Sequence, residues 1–237
     1  MRKILIGICL LSLILFAGGC VKRGFDRGAI GQSVYSAPDT ITDDDIRQTL
    51  ERKPQIRFPF RLGVYFSTPY YSHYSRHKSG WAGEERDIEW IKQLTDEGIV
   101  SEVIPITSAT ITRNDKKEQY LKSVRIAAAR HNADAVLIVD YSYDVDRYNN
   151  FSAFLYLTIV GGYFIPGTHS DALVIMNGAL WDVRNEYLYL TVETEGEANR
   201  IGPAFLLEDK VSVESAKEKA LKDFREELIR RMRNLKG

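Results

Sequence analysis

The chain is poor in the features that would declare a chemistry. Its 237 residues hold two cysteines, Cys9 and Cys20, too few for a disulfide framework. There is no CxxC pair, no P-loop, no GxSxG elbow and no HExxH helix. Charge of one sign is missing as well: 32 Lys and Arg balance 32 Asp and Glu, so no net field points to nucleic acid as a partner. No apolar run reaches the ~20 residues that a membrane-spanning helix needs. Internal repeats and low-complexity tracts are also absent. What remains is an ordinary globular mixture, 44% hydrophobic and 27% charged, which excludes a disordered or collagen-like chain. The length suits one good-sized domain or two small ones.

The amino terminus is the clearest segment. Arg2 and Lys3 precede 13 uncharged residues, Ile4–Phe16, too short to span a bilayer but right for a signal-peptide core. The run ends in Ala17-Gly18-Gly19-Cys20. Small side chains let an extended backbone enter a peptidase cleft, and a cysteine thiol can carry a diacylglycerol. The pattern resembles the lipobox of bacterial lipoproteins, with Ala17 where Leu is commonest. That resemblance implies cleavage before Cys20, a thioether lipid on Cys20 and an acylated amine, and makes a lipid bilayer the first partner. Each buried acyl methylene contributes ~0.8 kcal/mol, so several chains anchor durably. An uncleaved buried helix, or secretion with cleavage elsewhere, is the alternative. Removing residues 1–19 leaves 218 residues with 30 basic and 32 acidic side chains, a net charge of −2. Val21 follows the cysteine and no Asp stands there as an inner-membrane retention signal, so the expected location is the outer membrane, periplasmic face.

From Val21 to Pro59 there is scattered Gly and Ser with little apolar periodicity, which reads as a linker. Within it Thr42 is placed to cap a short helix with Asp43, Asp44 and Asp45 in the first turn, and Ile46 and Leu50 would dock that helix. Strands and helices then alternate. Leu62–Phe66 and Val100–Ile106 read as strands, and between them Ile88, Ile91 and Leu94 mark one helical face ended by Gly98. Asp115 and Glu118 form a capping-box-like pair ahead of the stripe Leu121, Val124 and Ala128, which stops at Asn132. Ala135–Val139, apolar on both faces, predicts a central strand. Leu173–Val183 and Tyr187–Thr194 flank Arg184-Asn185-Glu186 as a β-hairpin. A last helix, from near Val213 to Leu235, carries Ala216, Ala220, Phe224, Leu228, Met232 and Leu235 on one face. The expected class is α/β, a mixed β-sheet covered by helices, forming a single domain after a lipid-anchored linker. The expected division is signal peptide 1–19, lipidated cysteine and linker 20–59, and α/β domain 60–237.

Two stretches, Ala127–Tyr141 and Phe154–Gly167, together with Ala179–Val183, resemble the rhombotarget lipoproteins. The layout matches from about Leu62 to Val192, and Thr158–Gly167 is its most specific part. A looser similarity reaches the periplasmic lipoproteins related to the curli-secretion pore and to the amino-terminal domain of TolB. The resemblance implies an α/β sandwich used for assembly and not for chemistry. Members of the family are tied to rhombosortase, whose substrates end in a Gly-Gly, hydrophobic, Arg-rich tail. Phe224–Gly237 is instead an amphipathic charged helix, so this chain is not expected to be such a substrate.

The most unusual stretch is Tyr148–Ser170, 23 residues without a formal charge, of which Phe151–Ile165 are almost entirely apolar. Fifteen residues fall short of the ~20 of a spanning helix. Gly161 and Gly162 each weaken a helix by up to ~1 kcal/mol relative to Ala. One reading places this stretch in the core, as a helix or strand pair under the sheet. Another makes it a surface that meets lipid or a partner through Phe151, Phe154, Leu155, Tyr156, Ile159, Tyr163 and Phe164. A pore-lining hairpin fits poorly, because a transmembrane strand alternates apolar and polar residues.

Candidate chemical sites are few. His73 and His77 have helical spacing for a metal, but Pro69, Ser72, Ser75, Ser79 and Gly80 make a loop there, and no third ligand follows. The same loop offers Tyr70, Tyr71, Tyr74 and Trp81 as a stacking surface for a glycan, although the plainer reading is a tyrosine-rich loop without a ligand. Asp140, Asp144 and Asp146 invite an acid–base or Ca²⁺ reading, with Asp140 and Asp144 on one strand face, although acids at a strand end are commonly just solvated. Asp182 reads as a turn-former. The sequence therefore predicts a non-catalytic outer-membrane lipoprotein, without cofactor or metal, acting as a periplasmic scaffold or adaptor in an envelope assembly or secretion-related system. Its expected partners are an envelope protein or a second copy. A glycan- or peptidoglycan-binding module is the alternative, and a hydrolase using Asp140 or Asp144 a third.

Overall fold

Two strand lengths organise the computed structural model, which describes residues 22–30, 42–67, 70–71, 80–83, 86–111 and 120–236. Strands β1 (Phe60–Phe66), β2 (Tyr70–Tyr71) and β3 (Val100–Ile106) are short, whereas β4 (Ala135–Asn149), β5 (Thr168–Asp182) and β6 (Leu188–Gly202) have 15 residues each. They form one mixed sheet in the order β3-β1-β4-β5-β6. β1 lies parallel to both β3 and β4, while β4–β5 and β5–β6 are antiparallel along their whole length. β2 pairs with Ser142 and Tyr143 beyond the end of β1. The long strands therefore run on as a ribbon past the parallel half of the sheet.

Helices cover both faces. The carboxy-terminal helix, Asp209–Lys236, is 28 residues or ~42 Å long, close to the ~50 Å of a 15-residue strand. Its buried stripe is Val213, Ala216, Ala220, Phe224, Leu228 and Met232, laid against Leu137, Val139, Tyr141, Val174 and Met176. Gly196 on β6 lets the two approach: a Cβ there would lie 2.0 Å from the Ala216 carbonyl oxygen. A helix over Lys92–Asp96 adds Leu94 to this core, and Gly98, with φ +65°, ends its turn as the sequence predicts. On the opposite face a helix over Tyr120–Arg130 packs Val124, Ala127 and Ala128 on Val136 and Ile138. This double cover is why Ala135–Val139 is apolar on both faces. Asp115 and Glu118, read as the start of that helix, lie outside the described residues.

The predicted helix after Thr42 is present over Asp43–Glu51, with a full capping box between Thr42 and Asp45. It does not dock as expected: Ile46 and Leu50 are 53% and 81% exposed. Numbered in chain order, the helices are α1 (Arg27–Ile30), α2 (Asp43–Glu51), α3 (Lys92–Asp96), α4 (Tyr120–Arg130), α5 (Ile159–Phe164) and α6 (Asp209–Lys236).

Candidate functional site

From Asp140 onward β4 alternates. Tyr141, Tyr143 and Val145 turn toward α6, and Asp140, Ser142, Asp144 and Asp146 turn to the face that α4 covers farther down. Register brings Asp171, Leu173, Ile175 and Asn177 of β5 and Glu193, Glu195, Glu197 and Asn199 of β6 onto that same face. An acidic sheet face results, and a short amino-terminal strap lies across it. Arg23 donates to Asp144 at 2.6 Å, the Gly24 amide to Asp146 at 2.7 Å, and Lys22 pairs with Asp171 at 2.7 Å. Arg27 reaches Glu195 at 2.9 Å and also Glu197. Ile30 fills a small apolar cluster with Leu173 and Ile175, and its carbonyl accepts from the Ser142 hydroxyl at 2.6 Å. The hydrogen bond and charge of Asp171 raise the Lys22 pKa. Part of the stretch read as linker is thus packed on the sheet. Asp144 and Asp146 are not solvated strand-end acids as expected; they are buried mid-strand and answered by the strap.

The strap has a direction. Lys22 sits level with Asp171 and Tyr148, with its ammonium 5.8 Å from the Tyr148 ring centre, whereas Ile30 lies back at Ser142. Lys22 therefore lies near the end of the ribbon at which β4 passes into β5. Cys20 itself lies outside the described residues.

That end of the ribbon carries an apolar cap. A 3-10 helix, Phe151–Leu157, and α5 link β4 to β5; the Asn150 carboxamide oxygen caps the first and the Thr158 hydroxyl the second. The Tyr156 hydroxyl donates to the Ile165 carbonyl at 3.0 Å and accepts from the Gly167 amide at 2.8 Å, closing the loop on itself. Gly161 and Gly162 are required by close approach. A Cβ on Gly161 would lie 2.0 Å from the Leu155 carbonyl oxygen, and one on Gly162 would lie 2.4 Å from the Phe205 ring. Phe205 belongs to the β6–α6 loop, its amide donating to the Gly162 carbonyl at 3.2 Å and its ring 4.9 Å from Tyr163. Arg147 holds the same loop through the carbonyls of Ala204 and Leu207. The core reading of Phe151–Ile165 is set aside by exposure: Phe151 is 88%, Leu157 78% and Phe164 74% exposed. Phe154, Leu155 and Tyr163 are exposed too, while Tyr156 is half-buried and serves the fold of the cap. Phe205 and Leu206, more than 60% exposed, extend the cap and are not singled out by the sequence; an apolar pair within a six-residue loop carries no periodic signal.

Two clefts open elsewhere. One, about 370 Å³, exposes the sheet face around Ile138, Asp140, Asn177, Ala179, Trp181 and Glu193. Burial pushes the Asp140 carboxyl up to about 6, opposed by a hydrogen bond from Asn177. Its partner in the acid–base reading, Asp144, is held by Arg23 and lies four residues along the strand. That is roughly 13 Å, beyond the ~5–9.5 Å of paired glycosidase carboxylates. The other, about 680 Å³, lies at the β5–β6 hairpin among Pro54, Ile56, Arg57, Asp134 and Arg184, with Arg184 and Asp134 paired at 2.7 Å. Beside it Asp182 acts as the expected turn-former, accepting the Arg184 amide at 2.8 Å and the Tyr189 hydroxyl at 2.6 Å; burial together with Asp182 pushes that phenol up to about 12.

The glycan-stacking surface loses a member. Trp81 is buried, edge-on to Phe66 and Tyr141, and donates its indole N–H to the Ser67 carbonyl at 2.6 Å. The buried Lys217 ammonium, 5.4 Å from the Tyr141 ring centre, donates to the neighbouring Gly80 carbonyl at 3.0 Å. Tyr70 and Tyr71 contribute backbone pairing to β4, and Tyr74, His73 and His77 lie outside the described residues. Among the described residues no group of three or more His, Cys, Asp or Glu is placed to hold a metal ion, and no helix is long and apolar enough to cross a membrane.

No protein-family model matches the chain, and no curated protein matches it. Among solved structures it is similar to the PelC dodecamer from Paraburkholderia phytofirmans, at 16% identity over 68% of this chain and 86% of that one, with a TM-score of 0.26. It is also similar to lipoprotein GNA1162 from Neisseria meningitidis (12% identity, 73% and 99% covered, TM-score 0.30) and to the LpoB C-terminal domain from Salmonella enterica (9%, 59% and 84%, TM-score 0.29). Overlap at this level does not establish a shared fold; the strand order and the helix cover define the architecture by themselves.

Proposed function

We propose that this chain is a non-catalytic lipoprotein of the bacterial envelope, anchored through acylated Cys20 on the periplasmic face of the outer membrane, where it serves as a scaffold or adaptor. The observation that carries the reading is the strap: Lys22, Arg23, Gly24 and Arg27, only a few residues after Cys20, are ion-paired or hydrogen-bonded to one sheet face. A tether that needs reach gains nothing from such contacts. A scaffold held at a set orientation to its membrane does. The apolar cap, with Phe151, Phe154, Leu155, Tyr163 and Phe164 exposed, is the contact surface in this reading. The rhombotarget resemblance and its expected assembly role agree with it. The glycan-binding alternative is weakened by the burial of Trp81.

Expression of the full precursor and of Cys20→Ser in a two-membrane bacterium tests the proposal. Mature protein should begin at Cys20, carry the mass of a diacylglycerol and an acyl chain, and band with outer-membrane density. Cys20→Ser should lose both the added mass and the membrane fraction. An unacylated mature chain that starts elsewhere would refute the reading.

A further inference from the structure

We infer that the apolar cap rests in the lipid leaflet that holds the acyl chains of Cys20, so that the protein is seated on its membrane at two points. The inference rests on the anchoring proposed above and names what the cap touches. Phe151, Leu157, Val160, Phe164, Phe205 and Leu206 project from two loops clasped by the Phe205–Gly162 hydrogen bond, at one end of the β4–β6 ribbon. The strap runs along that ribbon toward the same end as it is followed back to Lys22. Lys22 thus lies near the base of the cap, and the two residues of chain that separate it from Cys20 span at most ~7 Å. A protein whose acyl chains enter the bilayer there brings the cap to the membrane surface.

Charge and shape agree with that occupant. Tyr148–Ser170 carry no formally charged side chain. Two charged groups at the cap's base are already answered, Asp171 by Lys22 and Arg147 by Asp209 and two loop carbonyls. Neither of these has to be moved bare toward hydrocarbon. The cap's helices have seven and six residues, too short to cross, so they lie at the interface, where apolar side chains reach ~5–10 Å into the headgroup and acyl boundary. Tyr163, half exposed on the same cap, has the amphipathic ring that collects at that depth.

The test uses the acylated full-length mature protein in phosphatidylethanolamine–phosphatidylglycerol vesicles. Signal-peptide removal takes Cys9 and acylation occupies Cys20, so Phe164→Cys and, on the far part of α6, Arg230→Cys each provide one thiol for a bimane label. With brominated acyl chains in the vesicles, emission from position 164 should fall at least twofold and that from position 230 should stay unchanged. Equal emission at both positions, while the protein still floats with the vesicles, would overturn the inference and leave the anchor in place. A label at 164 shielded from aqueous iodide but not quenched by bromine would also overturn it, since a partner or second copy then covers the cap. Absence of acyl chains in the intact mass would remove the anchoring reading and this inference with it, an outcome distinct from the other two.

Discussion

Asp140 shows how one side chain's meaning depends on its neighbours. Its strand parity is legible in the sequence, and so is its sharing a face with Asp144, but the apolar pattern ends the strand at Val139 and leaves the acids to solvent. Val139 is not the end, because Tyr141 and Tyr143 bury themselves under α6 and carry β4 on to Asn149. Asp140 is left buried beside a narrow cleft with its carboxyl pushed up to about 6. The folded chain then holds this proton more tightly than the unfolded chain, whose carboxyl titrates near its ordinary value. The group is neutral on this score below about pH 4, and its burial costs stability progressively as pH rises through about 6. The full difference between 3.8 and about 6 corresponds to at most ~3 kcal/mol. Asp140→Asn should therefore match the parent in urea unfolding near pH 4 and exceed it by about 1–3 kcal/mol near pH 7.5. A difference that does not vary with pH would show that the cleft keeps this carboxylate well hydrated.

Elements are legible where a period reports packing and obscure where packing depends on distant sequence. The α6 stripe, the β5–β6 hairpin around Asp182 and Glu186, and the doubly covered start of β4 all follow from local pattern. The strap does not, since Arg23 and Asp144 are 121 positions apart and neither one signals the other. Ile46 and Leu50 mislead the opposite way: their spacing fits docking, yet α2 keeps both outside. Trp81 resembles a binding aromatic because its loop composition hides the partners, Phe66 and Tyr141, that enclose it. At this scale the contact between β6 and α6 can be tested directly. Gly196→Ala sets a Cβ against the backbone of α6, and overpacking of this kind costs typically ~1–3 kcal/mol despite the better strand propensity of Ala. Gly83→Ala, with open space around its Cβ, should change the denaturant midpoint by less than ~0.5 kcal/mol equivalent. Equal effects at the two positions would mean that α6 yields without cost.

At the scale of the whole molecule, the strap makes the difference between a body on a leash and a body with a fixed underside. With the strap seated, Lys22 and the cap share one end of the ribbon while the β5–β6 hairpin and the end of α6 lie away from it. On the proposed anchoring, the surface left for a partner would be the hairpin end and the outer side of α6, both away from lipid. With the strap released, neither orientation nor cap placement would be defined. Hydrogen exchange of the backbone amides over residues 22–30, measured on the acylated protein in vesicles, decides between these directly. The Gly24 amide, bound to Asp146, and the Ile30 amide, bound to the Asp26 carbonyl, should exchange far more slowly than an unstructured chain. Exchange throughout this segment at the unstructured rate would contradict the fixed seat and reduce Cys20 to a simple tether.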